Sequence, residues 1–160
     1  YYRASGFARF GELEVELDGA SGLLDWGRGI WPYRHEWWWG SLSAIVDGAE
    51  LGLNIGWGFG DLTHATENMF FYKRRAYKLG VLQVDMEGGY MEPWHLRDDG
   101  GKLELHFHPI YDNYTERKLI VVDTECHQVY GWFSGWAETD EGRAEFHGLP
   151  GFLEHAVNRW

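Results

Sequence analysis

The sequence has few of the residues that mark several common classes of protein. Cys126 is the only cysteine among 160 residues, so no internal disulfide can form and a disulfide-stabilised secreted scaffold is excluded. Lys and Arg number 14 against 25 Asp and Glu, and the formal charge of −11 opposes binding to nucleic acid and to anionic lipid. No apolar run approaches the length of a membrane helix, so no transmembrane segment is predicted. Phosphate-binding loops and the serine-hydrolase elbow are absent as well.

The start of the chain lacks a charged and then apolar signal segment. Together with the lone cysteine, this predicts a cytoplasmic protein, unless a signal segment has been removed before Tyr1. The length fits one domain with one hydrophobic core, which we expect to span residues 1–160.

What the sequence does contain is aromatic side chains and glycine, with ten Trp and 22 Gly. Apolar and polar residues alternate in many short runs, and no long stretch shows a helical apolar stripe. The predicted strands are residues 13–17, 37–46, 51–57, 67–72, 76–86, 103–108, 119–124, 129–137 and 143–147. The sequence therefore predicts an all-β fold, an antiparallel lipocalin-like (calycin) barrel, since closure removes exposed sheet edges.

The most informative stretch is a hairpin that turns at Asp47-Gly48. This turn fixes a register in which paired residue numbers sum to 95, so that one face of the hairpin is apolar throughout. The other face places Trp39 opposite Gly56 and Trp37 opposite Gly58, next to small polar residues such as Asn54. We expect this second face to line a cavity, the alternative being a solvent-exposed face whose rings cover glycine backbone.

Residues 25–33 are too irregular for a strand and too rich in rings for an ordinary surface loop, and they indicate a lid or plug for that cavity. Arg28 lies between two glycines in this segment. Its guanidinium is expected to pair with a carboxylate, Asp25, Glu67 or Glu154, or with an anionic group of a ligand.

Two further groups of residues have side chains suited to catalysis or to metal binding. Glu154 and His155 offer an acid and a base, but side chains of adjacent strand residues diverge, so an irregular or helical chain end is needed to bring them together. His106 and His108 point to one face of a strand and loosely resemble the first metal motif of cupins, although the solvated face of an ordinary strand is the favoured explanation. A cupin-like metal enzyme is therefore an alternative, with no cofactor as the main expectation.

Several short motifs, in this order along the chain, resemble the family known as domain of unknown function 2804. They are DWGRG at 25–29, WPY at 31–33, WWWG at 37–40, GLNIG at 52–56, TEN at 66–68, PW at 93–94, HQ at 127–128 and GFLE at 151–154. The resemblance covers nearly the whole chain and corresponds to the C-terminal half of longer members. It therefore implies a two-barrel protein in which a missing N-terminal barrel is a partner of this one.

That family is distantly similar to lipocalin-like proteins that include carotenoid hydratases and tocopherol cyclases, which implies an apolar ligand of isoprenoid or fatty-acid type. We expect a binding module, and the alternative is a cofactor-independent hydratase, cyclase or isomerase acting on a polyene. The residues expected to bind the ligand are Arg28, Trp37, Trp39, Asn54, Glu67, Asn68 and Trp94. The candidate catalytic residues are Asp25, Glu154 and His155.

Overall fold

A computed structural model describes residues 2–159, and Tyr1 and Trp160 lie outside the described residues. The described chain contains strands, turns and loops, so none of its elements is a helix long and apolar enough to cross a membrane. The all-β prediction is confirmed. The strands are β1 (Tyr2–Arg3), β2 (Phe7–Phe10), β3 (Leu13–Glu16), β4 (Ser21–Gly22), β5 (Arg34–Val46), β6 (Ala49–Trp57), β7 (Met69–Tyr72), β8 (Arg75–Lys78), β9 (Leu82–Asp85), β10 (Trp94–Asp98), β11 (Leu103–Lys118), β12 (Asp123–Thr139) and β13 (Gly142–Arg159).

Nine of these strands form one antiparallel sheet in the order β8-β7-β6-β5-β13-β12-β11-β10-β9. Strands β8 and β9 are its two edges, yet β8 ends at Lys78 and β9 begins at Leu82. Four steps of chain span at most about 14 Å, so the sheet must curl until its edges approach each other. No described ladder joins β8 to β9, and the sheet is therefore a half-barrel.

The edges of this half-barrel are held together by a buried carboxylate, Asp98. Its oxygens accept hydrogen bonds from the backbone N–H groups of Lys102 at 2.6 Å, Leu103 at 2.9 Å and Gly80 at 3.1 Å. Because Gly80 lies between the edge strands β8 and β9, this carboxylate fixes the linker against the β10–β11 turn. Buried backbone donors need such partners.

The hairpin prediction is confirmed in detail. Asp47 and Gly48 have φ values of 50° and 77°, as a type I′ turn requires, and β5 pairs with β6 in the predicted register, Trp38 opposite Trp57 and Trp39 opposite Gly56. The strand boundaries predicted elsewhere are less accurate. Residues 119–122 form the tight turn between β11 and β12, and residues 76–86 are divided between β8 and β9.

The concave side of the sheet, which we call the inner face, holds the hydrophobic core. Its fully buried side chains come from strands across the whole sheet, and the largest are Trp94, Phe70, Phe107, Phe133 and Phe146 with Leu51, Leu53, Ile55, Leu96, Leu103, Leu105 and Leu153. Glycines make room for these rings. A Cβ at Gly131 would lie 2.7 Å from the Phe107 ring, and one at Gly151 would lie 2.8 Å from the Phe133 ring.

The filled interior corrects one sequence-based expectation. Leu42, Leu53 and Ile55 of the β5–β6 hairpin face the core, so Trp37 and Trp39 lie on the opposite, outer face of the sheet. The prediction that these two rings line the inside of a barrel is therefore wrong. The physical reason is that alternation separates two faces of a strand but does not state which of them becomes concave.

A second correction concerns the strand predicted at residues 13–17. The strand β3 exists, but it pairs only with β2 in a separate hairpin, and Leu13 and Val15 are exposed rather than half-buried. No described ladder joins this hairpin to the nine-stranded sheet, and its large apolar side chains stay exposed.

Candidate functional site

The outer face carries a pocket of about 400 Å³ between the segment 25–33, strands β5 and β13, and the loop that joins β6 to β7. Five of the residues singled out in the sequence lie around it. Its lining consists of Asp25, Gly27, Trp31, Trp37, Trp38, Trp39, Phe59, Glu67 and Glu154. The segment 25–33, expected to act as a lid, contributes Asp25, Gly27 and Trp31 to this lining, on the outside of the sheet.

Two indole rings form the floor of this pocket, and both are held by hydrogen bonds. Trp37 Nε1 donates to Glu154 Oε1 at 2.9 Å, and Trp39 Nε1 donates to Asn54 Oδ1 at 2.9 Å. Asn54 Nδ2 in turn donates to Glu67 Oε2 at 2.9 Å. Because each indole N–H has a fixed acceptor, the rings are set in place before any ligand arrives.

Glu67 occupies space that only a glycine leaves open. A Cβ on Gly56 would lie 2.2 Å from Glu67 Oε1, so any side chain there would force the Glu67 carboxylate to move. Gly56 is also the residue paired with Trp39. The glycine opposite Trp39, noted in the sequence, therefore leaves room for the Glu67 carboxylate beside the indole.

The upper wall is formed by two more rings. Trp31 meets Phe59 edge to face at 5.7 Å between centroids, and Phe59 meets Trp37 edge to face at 6.2 Å. Edge-to-face contacts of this kind favour a defined arrangement. The pocket thus has aromatic surface on its floor and on one side.

The charged side chains that line the pocket are the carboxylates of Asp25, Glu67 and Glu154. Within residues 2–159, no Lys or Arg forms an ion pair with Asp25, Glu67 or Glu154. Glu154 Oε2 instead accepts a hydrogen bond from the neutral Gln128 amide at 3.0 Å. The predicted pairing of Arg28 with one of these groups is wrong, since Arg28 is exposed and lies outside the lining.

Two residues predicted to bind the same ligand lie elsewhere. Trp94 is 1% exposed and belongs to the core on the inner face, so it cannot share a cavity with Trp37 and Trp39. Asn68 is fully buried, accepts a hydrogen bond from Gly56 N at 2.6 Å and donates one to Gly80 O at 2.8 Å. Its amide joins the end of β6 to the linker between the sheet edges.

The candidate pair Glu154 and His155 is separated by the sheet. Strand β13 stays regular to Arg159, so the irregular end that the pair requires does not form and His155 points to the inner face. There it belongs to a row of five rings, one from each of five adjacent strands. In register order these are Trp57, Trp38, His155, His127 and Tyr114.

This row lies at one end of the hydrophobic core. Its histidines belong to a hydrogen-bonded network that the sequence did not reveal. The Tyr90 hydroxyl lies 2.6 Å from His155 Nδ1, and His155 Nε2 lies 2.8 Å from Glu36 Oε1. His127 Nδ1 lies 2.7 Å from Asp112 Oδ2, and its ring stacks on Tyr90 at 3.7 Å. Burial raises the pKa of the Tyr90 hydroxyl, and nearby carboxylates add to this effect.

The two histidines of the metal hypothesis have different neighbours. His106 lies beside His95 and Glu104 on the outer face, and His108 is not part of this group. The histidine grouped with His106 therefore comes from the neighbouring strand.

With the geometry described, the chain can be compared with known proteins. Residues 1–160 match the family described as Domain of unknown function (DUF2804). The chain belongs to the DUF2804 family. This confirms the resemblance seen in the motifs. Comparison with curated proteins and with solved structures finds no match.

The lone thiol of this DUF2804 domain is not an activated nucleophile. Burial raises the pKa of Cys126 to about 11, and Glu154 and Asp112 add to the effect. We expect its alkylation by iodoacetamide to be about tenfold slower at pH 8 than that of an ordinary thiol, because fewer thiolates outweigh their greater nucleophilicity. The rate should keep rising beyond pH 9.5, as followed by mass spectrometry. A plateau near pH 9 would contradict this prediction.

Proposed function

We propose that this DUF2804 domain binds a small amphiphilic molecule, with an apolar body and a positively charged end, in the outer-face pocket. The observation that carries the proposal is the combination of aromatic walls with carboxylates that have no basic partner among the described residues. The volume of about 400 Å³ falls within the range of small-molecule sites.

The aromatic rings of the pocket favour the binding of a cationic group as well as of an apolar one. The face of an indole attracts a cationic group within about 6 Å, by roughly 0.5 to 2 kcal/mol depending on how far the site is desolvated. Trp37 and Trp39 are half-buried and fixed by their hydrogen bonds, so they lose little conformational freedom on binding.

The carboxylates favour one of the two ligand types expected from the sequence. The carboxylate of a fatty acid would meet Asp25, Glu67 and Glu154 with Arg28 outside the pocket, and like charges repel. An isoprenoid-like body with an amine or quaternary ammonium end avoids this repulsion. The net charge of −11 favours the approach of such a cation.

The proposal keeps the lipocalin-like architecture expected from the sequence, but it moves the ligand site from the inside of the sheet to the outside. We infer that the half-barrel belongs to that general type and that its interior serves packing. Ligand binding is assigned to the outer face, where the segment 25–33 supplies a wall.

A series of three decyl compounds tests the proposal, because they share an apolar chain and differ in the end group. We expect decyltrimethylammonium to bind about tenfold more tightly than decanol, and decanoate to bind more weakly than either. Isothermal titration calorimetry below micelle-forming concentrations measures the three affinities. Equal affinity for all three compounds, or tightest binding of decanoate, would refute the proposed ligand class.

The double variant Glu67→Gln/Glu154→Gln separates charge from apolar contact. Glutamine keeps the size of each side chain, so decanol affinity should change little while the preference for decyltrimethylammonium over decanol falls severalfold. A preference unchanged in the double variant would place the cation elsewhere.

Catalysis on a polyene is the second candidate function, and one observation favours it. Asp25 and Glu154 line the same ring-walled pocket, so two carboxyl groups lie beside rings able to stabilise a carbocation. His155, on the inner face, has no part in it. Product analysis after incubation with a bound isoprenoid distinguishes catalysis from simple binding.

A further inference from the structure

A group of metal-ligating side chains lies on the outer face near one edge of the sheet, away from the aromatic pocket. His95 of β10 is directly opposite His106 of β11, and their rings stack in parallel at 4.6 Å between centroids. Glu104 precedes His106 by two residues and so shares its face. Its Oε1 lies 3.0 Å from His95 Nε2.

The distances suit a single ion. One ligand atom from each of the three side chains lies within 4.8 Å of the others. Ligand atoms around a tetrahedral Zn²⁺ with bonds of about 2.0 to 2.1 Å are separated by about 3.3 Å. Movements of roughly 1 Å by these partly exposed side chains therefore bring all three atoms into coordination range.

The backbone beneath the group is rigid. Strands β10 and β11 are paired on both sides, with β9 and β12, and their inner-face residues Leu96 and Leu105 are fully buried. The side chains are thus presented from a fixed surface, and little ordering is required when an ion binds.

The donor set matches a late first-row divalent ion. Two imidazoles and one carboxylate are the protein ligands of one class of zinc site, with water completing the coordination. Arg97, paired opposite Glu104, brings positive charge nearby and limits the affinity.

We propose that His95, Glu104 and His106 bind one divalent transition-metal ion, Zn²⁺ or Cu²⁺, on the outer face of the β10–β11 pair. The site is independent of the proposed ligand pocket. It differs from the pairing of His106 with His108 that the sequence suggested, because the second imidazole comes from the neighbouring strand.

Zinc titration of the full chain by competition with a chromophoric chelator tests the proposal. We expect a single equivalent bound at neutral pH and an affinity at least tenfold lower in His95→Ala and in His106→Ala. His108→Ala is the matched control, since His108 is exposed on the same face of the same strand, and its affinity should equal that of the unmodified chain. Far-ultraviolet circular dichroism confirms that each variant folds.

Electron paramagnetic resonance of bound Cu²⁺ gives a second measurement that does not depend on affinity. Splitting from two imidazole nitrogens is expected in the unmodified chain, and from one in either His95→Ala or His106→Ala. No zinc binding, or binding unaffected by both substitutions, would overturn the proposal, as would a loss shared by His108→Ala.

Discussion

Replacing Gly131 by Ala is expected to lower the free energy of unfolding by about 3 kcal/mol. The added Cβ would lie 2.3 Å from the backbone oxygen of His108 and 2.7 Å from the Phe107 ring. The oxygen belongs to the β11–β12 pair, and Phe107 is fully buried, so neither neighbour can move without disturbing the sheet or the core. Urea denaturation followed by circular dichroism measures the change.

Gly52→Ala is the matched control for this substitution. Gly52 also lies within the large sheet, but a Cβ there would make its nearest contact with Phe71 at 3.7 Å, an ordinary van der Waals distance. We expect the free energy of unfolding to rise by less than about 1 kcal/mol, because Ala restricts the conformational freedom of the unfolded chain. Similar losses for both variants would show that the crowding at Gly131 is not the cause.

Local signals explain why the β5–β6 hairpin could be predicted from the sequence. Asp47-Gly48 specifies one turn type, and that turn fixes the register of every pair up to Trp38 and Trp57. All of the information lies within about twenty residues of chain. The same reasoning found the aromatic segment 25–33 and the glycine that faces Trp39.

The side of the sheet that holds the core could not be predicted in this way. Whether Leu42 or Trp39 faces inward depends on the direction of curl, and that direction is set by strands far away in sequence, such as β9 and β10. Trp94 was misplaced for this reason. An indole ring is typical of ligand-binding pockets, but the residue paired with Trp94 on β11 is the buried Phe107, and both belong to the core.

Sites that assemble across strands were missed for a related reason. The row containing His127 and His155 exists because β12 and β13 pair in one particular register, and Tyr90 reaches it from a loop. His95 and His106 meet only after β10 and β11 pair. One signal was available, since period-two counting from the buried Leu153 places His155 on the inner face and Glu154 on the outer.

Removal of one indole from the pocket should have the largest effect on ligand binding. We expect Trp39→Ala to raise the dissociation constant for decyltrimethylammonium about 30- to 100-fold, equivalent to about 2 to 3 kcal/mol. The substitution removes a cation-binding ring and also the N–H donor to Asn54, the residue that positions Glu67. Calorimetric titration measures the constant, and a thermal melt confirms that the variant is folded.

Two variants separate the contributions of ring and hydrogen bond. Trp39→Phe keeps an aromatic face but lacks the donor, so its affinity should fall between those of Trp39→Ala and the unmodified chain. Trp132→Ala removes another half-exposed outer-face indole, one that does not line the pocket, and binding should be retained. If Trp132→Ala weakened binding as much as Trp39→Ala did, the pocket beside the segment 25–33 would not be the binding site, because Trp39 lines that pocket and Trp132 does not.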